Sequence, residues 1–357
     1  MKNSSITIVL GILLFSSCKE NSKKEQHDDI LKEETSEIVS KKSTDTIKAA
    51  FAIEILDNEA LNVIDPEATL EVLASGFTWT EGPLWIEEDN YLLFSDIPNN
   101  KVYKLDSNHG VSTFLDPSGY TGEGSYGDEP GSNGLILNKQ GELILLQHGD
   151  RKVVKMNASL DNPKSEFITL ADNYEGQKFN SPNDGFLDKE GNLYFTDPPY
   201  GLPLKQDDPN KELDFQGVYC LLNSGELVLL DKLTKPNGIG QSPDGSTLYV
   251  AVSDPHHAVW YQYDIVKPGK VTNKRIFYDV TPLIGKEGQQ GLPDGLKINS
   301  KGYLFATGPG GIWIFNSSAK AIARIHTGQL TSNCAFSNDG KRLFMTADDY
   351  ILAVDLL

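Results

Sequence analysis

KFNSPNDGFLDKEGNLYFTDPPYG, residues 178–201, holds two short β-prone runs, Gly185-Phe186-Leu187 and Asn192-Leu193-Tyr194-Phe195, joined by Asp188-Lys189-Glu190-Gly191. Two such runs around a glycine-containing turn predict a β-hairpin. Hairpin strands are antiparallel, so the residue that opens the first lies beside the residue that closes the second. Asn183, just ahead of the first run, and Asp197, at the end of the second, are therefore expected at one end of the hairpin.

The unit recurs. A polar residue before a short strand is followed, about eight positions on, by a turn residue and a second β-prone run: Glu81 with Asn90, Asn133 with Gly141, Asn183 with Gly191, Asn237 with Gly245, Asp294 with Gly302 and Asn333 with Gly340. Repeats of roughly 50 residues built from strands alone predict an all-β fold, a six-bladed β-propeller with four-stranded blades. The first strand of each blade lines the central channel of such a fold. The six oxygen-bearing residues that precede these strands should then meet around one axis. Residues 69–77 (TLEVLASGF) precede the first unit and are expected to supply the outer strand of the last blade, closing the ring. Two stretches fall outside the repeat: a Gly-, Ser- and Tyr-rich loop over 117–132, expected over one mouth of the channel, and a polar insertion over 202–215, a candidate lid or wall.

The 357 residues carry a formal net charge of −18, which excludes the basic face that nucleic-acid binding needs. Residues 1–18 hold Lys2, an apolar run over 6–15 and then Ser16-Ser17-Cys18, a secretory signal too short for a comfortable membrane span. Leu14-Phe15-Ser16-Ser17-Cys18 resembles a bacterial lipobox. Lipidation of Cys18 is expected, giving a cell-envelope lipoprotein that faces periplasm or cell surface and meets the membrane through the anchor only. Residues 19–49 are mostly Lys, Glu, Ser, Thr and Asp with no aromatics, the composition of a disordered tether, so the propeller is expected over 50–357. Cys220 and Cys334 fall in separate blades with no metal-type spacing and are read as small core residues.

Two carboxylates, Glu81 and Asp294, and two amides, Asn183 and Asn237, facing one axial point make a hard-oxygen set. Such a set suits Ca²⁺, with Mg²⁺, Mn²⁺ or Zn²⁺ as alternatives, and two negative charges balance a divalent ion. Asn133 and Asn333 share the repeat position and are candidates for substrate contact. So are Asp184, beside Asn183; Asp197, at the matching hairpin end; and His148, at the end of the second strand of the second unit.

TEGPLW (80–85), SPNDGFLDKEGNLYFTDPPYG (181–201), KPNGIGQSPDGSTLYVA (235–251), LPDGLKINSKGYLFAT (292–307) and TSNCAFSNDGKRLFMTA (331–347) resemble, in order, the gluconolactonase and senescence-marker-protein (SMP-30) family of six-bladed propellers. The resemblance covers roughly residues 76–357. It implies a calcium-type ion in the channel and hydrolysis of sugar lactones, with Glu81, Asn183, Asn237 and Asp294 as ligands and Asp294 also as acid/base. The animal members' substrate-binding arginine falls on Ser181, which puts the exact sugar in question. A metal-dependent esterase or phosphotriesterase and a non-catalytic ligand-binding propeller are the alternative readings.

Overall fold

The computed structural model describes residue 48 and residues 50–357; the signal segment, Cys18 and nearly all of the tether lie outside the described residues. Six antiparallel sheets follow one another along the chain as the blades of a β-propeller. Blade one comprises Thr80–Ile86, Tyr91–Asp96, Lys101–Asp106 and Gly110–Leu115, from the inside outward. Blade two comprises Ser132–Leu137, Leu143–Gln147, Lys152–Met156 and Phe167–Ala171; blade three, Gly185–Leu187, Leu193–Asp197, Gly217–Leu221 and Leu227–Lys232. Blade four comprises Pro236–Gln241, Thr247–Asp254, His257–Lys267 and Lys270–Asp279. In blade five, Leu296–Ile298, Leu304–Gly308, Gly311–Phe315 and Ala321–His326 gain a fifth, outermost strand, Ala52–Ile55. Blade six comprises Thr331–Phe336, Arg342–Ala347 and Tyr350–Asp355, and Glu71–Ser75 from the start of the domain completes it.

The ring is thus closed by the segment expected to close it. The fifth strand of blade five is a difference from expectation. Its exposure alternates between exposed and half-buried, so only weak patterning marks it in the sequence. It pairs antiparallel with Ala321–His326 along its whole length, and its Glu54 carboxylate also meets Arg324 at 3.4 Å and His326 at 2.9 Å on that strand.

The turn residues read from the repeat all have positive φ: Asn90 52°, Gly141 75°, Gly191 83°, Gly245 78°, Gly302 86° and Gly340 70°. A left-handed residue at this point is what returns the chain into the second strand, and glycine adopts it without the cost a side chain brings. In blade three the turn is locked by Asp188, whose Oδ1 accepts from the N–H groups of Glu190 and Asn192.

Second strands are apolar on both faces because every blade is covered on both sides by its neighbours. Tyr91, Leu92, Leu93 and Phe94 are all buried, as are Tyr249, Val250, Ala251 and Val252. Blades one and two share a core of Leu93, Leu135, Leu145, Val154 and Met156. Blades four and five share Trp260, Trp313, Phe315 and Leu304. Blade six packs on blade one through Phe344, Ile351, Leu92 and Phe94, with Trp85 stacked on Phe344 at 4.8 Å. Cys220 and Cys334 are both buried free thiols.

A second device ties blade to blade near the axis. The residue near the end of each second strand is Ser95, Thr196, Ser253, Thr307 or Thr346, with Gln147 in blade two. Ser95 Oγ donates to the Asn133 carbonyl at 2.9 Å, Thr196 Oγ1 to that of Asn237 at 2.8 Å and Thr307 Oγ1 to that of Ser332 at 2.9 Å; Ser253 Oγ donates to the Pro293 carbonyl. Ser332 Oγ carries the tie from blade six to blade one, donating to the Thr80 carbonyl at 2.7 Å. These hydroxyls give the inner-strand carbonyls at the irregular start of each ladder a side-chain donor.

Candidate active site in the central channel

The ladder is broken at the repeat's key residue in every blade. Register shifts fall between Glu81 and Leu84, Ser132 and Leu135, Pro236 and Ile239, and Thr331 and Asn333. In blades three and five, pairing begins only at Gly185 and Leu296, after Asn183 and Asp294. A bulge re-aims a side chain out of the pleat, and here it turns the key residues toward the axis. Glycine follows four of the six, because neighbouring inner strands approach too closely for a side chain. A Cβ on Gly238 would stand 2.2 Å from the Asp294 carbonyl oxygen.

Glu81, Asn133, Asn183, Asn237 and Asp294 line one cavity of about 290 Å³. Trp79, Ile97, Leu292 and Leu330 form apolar parts of its wall, and Glu129, Tyr200, Lys205 and Ser253 polar parts. All five axial side chains are buried or nearly so. Asn133 Oδ1, Asn183 Oδ1 and Asp294 Oδ1 are buried and have no hydrogen-bond partner. Three acceptor oxygens left unsatisfied in one cavity would cost several kcal/mol if nothing met them.

The amide orientations follow from their donors. Asn183 Nδ2 lies 3.4 Å from His148 Nε2, so the imidazole fixes the amide with its oxygen free. Asn237 Nδ2 donates to Ser253 Oγ at 3.1 Å. Glu81 Oε2 accepts from the Gly82 N–H at 2.9 Å and from Asn333 Nδ2 at 3.2 Å. Burial pushes the Glu81 carboxyl up to about 8, and the neighbouring Asp184 adds to the shift against these two donors. Asp294 is held well above the carboxylate range, first by burial and then by the negative charges of Glu81, Asp184 and Glu129. Two buried carboxyls that disfavour each other's ionisation, beside three unpartnered oxygens, fit a hard cation. Among the described residues, no three histidines, cysteines or carboxylates are arranged to hold a metal ion by themselves. The set that fits an ion here is mixed carboxylate and amide, the chemistry of a calcium-type site.

The remaining expected site residues lie around this cavity without lining it. His148 is fully buried behind Asn183, with Nδ1 3.2 Å from Glu129 Oε2 though not aligned for a hydrogen bond. Gly201 packs on it; a Cβ there would sit 2.5 Å from that of His148. Asn333 bridges Glu81 and Asp184 through Nδ2, and its Oδ1 receives Lys297 Nζ at 3.3 Å. Asp184 meets Lys297 at 3.6 Å. Asp197, expected as a substrate contact, shares the hairpin end with Asn183 but turns the other way. Its carboxylate accepts from the N–H groups of Asn180 and Ser181 and from Asn180 Nδ2, shaping the loop that enters blade three. Ser181 also faces away from the cavity: its Oγ donates to the Pro198 carbonyl and accepts from the Gly201 N–H at 2.9 Å.

Sequence reasoning missed Tyr200, Ser253, Glu129 and Lys205. The recurring Ser/Thr near the end of the second strands was a signal for Ser253. Tyr200, which lines the cavity with Ser253 and Asn237, stood in plain view within DPPYG. Glu129 and Lys205 lie outside the repeat, where no internal comparison reaches them.

Residues 79–349 match the SMP-30/Gluconolactonase/LRE-like region. The chain belongs to that family. It is 38% identical over 297 residues to the gluconolactonase of Zymomonas mobilis subsp. mobilis, covering 82% of each chain. It is 26% identical over 275 residues to regucalcin of Gallus gallus, covering 75% of this chain and 82% of that one. A solved gluconolactonase structure from Xanthomonas campestris superposes with a TM-score of 0.72 at 27% identity, over 86% of this chain and 95% of that one. Within this SMP-30/gluconolactonase member the matched span begins at Trp79 on the cavity wall and runs through Glu81, Asn183, Asn237 and Asp294.

Proposed function

We propose that the protein is a divalent-cation-dependent hydrolase of lactones, working in the axial cavity. The observation that carries this reading is the meeting of Glu81, Asn183, Asn237 and Asp294 in one cavity, where Asn183 Oδ1 and Asp294 Oδ1 are buried and unpartnered, in a chain that resembles a gluconolactonase at 38% identity. Glu81, Asn183, Asn237 and Asp294 would hold the cation, Ca²⁺ by its donor set, and Asn133 presents a further oxygen to the same space.

When bound, such a cation polarises a carbonyl oxygen, lowers the pKa of water and favours ionised carboxylates beside it. Asp294 Oδ1 takes a proton from water as the water oxygen bonds to the lactone carbonyl carbon. The ring C–O bond then breaks, and Asp294 returns the proton to the departing ring oxygen, leaving a hydroxy acid. His148 keeps the Asn183 oxygen turned inward, and Ser253 holds the Asn237 amide. The apolar wall at Trp79, Ile97, Leu292 and Leu330 accepts the C–H face of a ring and displaces water from it.

The experiment is a panel of lactones, aryl esters and phosphotriesters offered to the purified protein with and without EDTA, together with metal content. Lactone turnover abolished by EDTA and restored by Ca²⁺ supports the proposal. Turnover of phosphotriesters alone moves the chemistry to another ester class, and ligand binding without any turnover makes this a binding protein. The envelope location belongs to the same proposal: Cys18 carries a lipid, and residues 19–49 tether the propeller to a membrane.

A further inference from the structure

Two segments outside the blade repeat bring charge to the cavity. One is the loop between blades one and two, which supplies Glu129. The other is the insertion after Gly201, which supplies Lys205. The segments touch: a Cβ on Gly127 would stand 3.3 Å from Pro203, and Glu129 Oε1 lies 4.0 Å from Lys205 Nζ. The insertion is fastened from below. Ser181 Oγ holds Gly201, where the insertion departs, and Arg151 Nη1 donates to the Asn210 carbonyl at 3.0 Å. Asp208 closes a turn around Lys205 by accepting from the Leu204 N–H at 2.9 Å. Lys205 itself is held at φ +53°, a left-handed backbone that a residue with a side chain keeps only where its surroundings impose it.

The pair these residues make is weak. The distance is at the limit of an ion pair and the lysine side chain is 51% exposed, so solvent screens it. An ammonium has three donors and a carboxylate several acceptor sites. A hydroxyl can accept from Lys205 while donating to Glu129, completing both groups. An unsubstituted ring pressed against them would strip water from both and return nothing. Across the cavity the apolar wall suits the C–H face of the same ring. A polyhydroxylated ring with one apolar face meets both conditions.

We infer that Lys205 and Glu129 form a subsite that reads substrate hydroxyl groups and so selects polyhydroxylated lactones over unsubstituted ones; the inference rests on the lactonase reading above. Glu129 is also coupled to the ion-binding residues, since its other oxygen faces His148, which orients Asn183.

The test compares kcat/KM for δ-gluconolactone and δ-valerolactone, which share a six-membered lactone ring and differ in hydroxylation. The full-length protein is compared with Lys205→Met, Lys205→Arg and Glu129→Gln. Wild type favours the hydroxylated lactone. Lys205→Met and Glu129→Gln each lower the preference about tenfold, chiefly through KM, while Lys205→Arg, which keeps a donor, retains most of it. A preference unchanged in Lys205→Met and Glu129→Gln overturns the subsite while leaving the lactonase intact. Turnover of neither lactone by wild type removes the lactonase reading and this inference with it. Lys205 is half exposed, so its substitution leaves the fold standing.

Discussion

The metal-free protein should lose stability as pH rises from about 5 to 8, and Ca²⁺ should remove most of that loss. The cause is Glu81, whose carboxyl moves from an ordinary 4.5 to about 8 on burial. Between those values the folded chain holds a proton that the unfolded chain has released, so stability falls with rising pH across the window. At 1.36 kcal/mol per pH unit, the cost at pH 8 is on the order of 5 kcal/mol. At roughly 2 °C per kcal/mol for a chain of this size, that is about 10 °C in Tm. A cation beside Glu81 stabilises the ionised form, so the stabilisation by Ca²⁺ should be small at pH 5 and large at pH 8. Asp294 and Asp197, also raised by burial, add slope of the same sign. Glu81→Gln separates the contributions, because glutamine is neutral at every pH. Differential scanning calorimetry of both proteins in EDTA, from pH 5 to 8, should show the variant gaining on wild type by about 10 °C across the window. Parallel curves for the two proteins, or an equal Ca²⁺ effect at both ends of the range, would refute the reasoning.

Three further outcomes follow from the same geometry. Asp294→Asn keeps the shape of the side chain but not its basicity; kcat should fall by about 10²–10⁴-fold with Tm within a few degrees of wild type, read by steady-state kinetics and circular dichroism. Thr196→Val removes the hydroxyl that ties blade three to the Asn237 carbonyl and leaves that buried oxygen unpaired, so urea denaturation should show a loss of about 1–3 kcal/mol. Cys18→Ser should abolish incorporation of labelled palmitate and release the protein from the membrane fraction of expressing cells; unchanged fractionation would remove the anchor from the proposal.

Much of the architecture was legible because a propeller repeats its local chemistry. The turn at Gly191 has counterparts at Asn90, Gly141, Gly245, Gly302 and Gly340, all with positive φ, and each marks a point where the backbone favours Gly or Asn. Counting them yields the blades, and reading back from each reaches a residue at a break in the ladder. Asn183 and Asp197 show where this logic stops. The hairpin puts them at one end, as expected, yet one turns into the cavity and the other toward the N–H groups of residues 180 and 181. Strand pairing fixes which residues are neighbours. Which way each side chain points depends on how the ladder breaks and on the donors nearby.

What this chain's sequence determined by itself is everything set by spacing: the strands, their turns, the six repeats, the closing segment 69–77 and the oxygen-bearing residues that share one repeat position. Periodic local preferences carry that information, and one chain displays it several times. Only the tertiary structure decided which of those residues share a cavity, that Asn333 and Asp184 stand beside it with Lys297, and that Glu129 and Lys205 arrive from two unrelated loops to form part of its wall. Those contacts join residues tens to hundreds of positions apart, and a loop that occurs once has no copy in the sequence to reveal it. They come into being when the ring closes and brings the loops over its mouth.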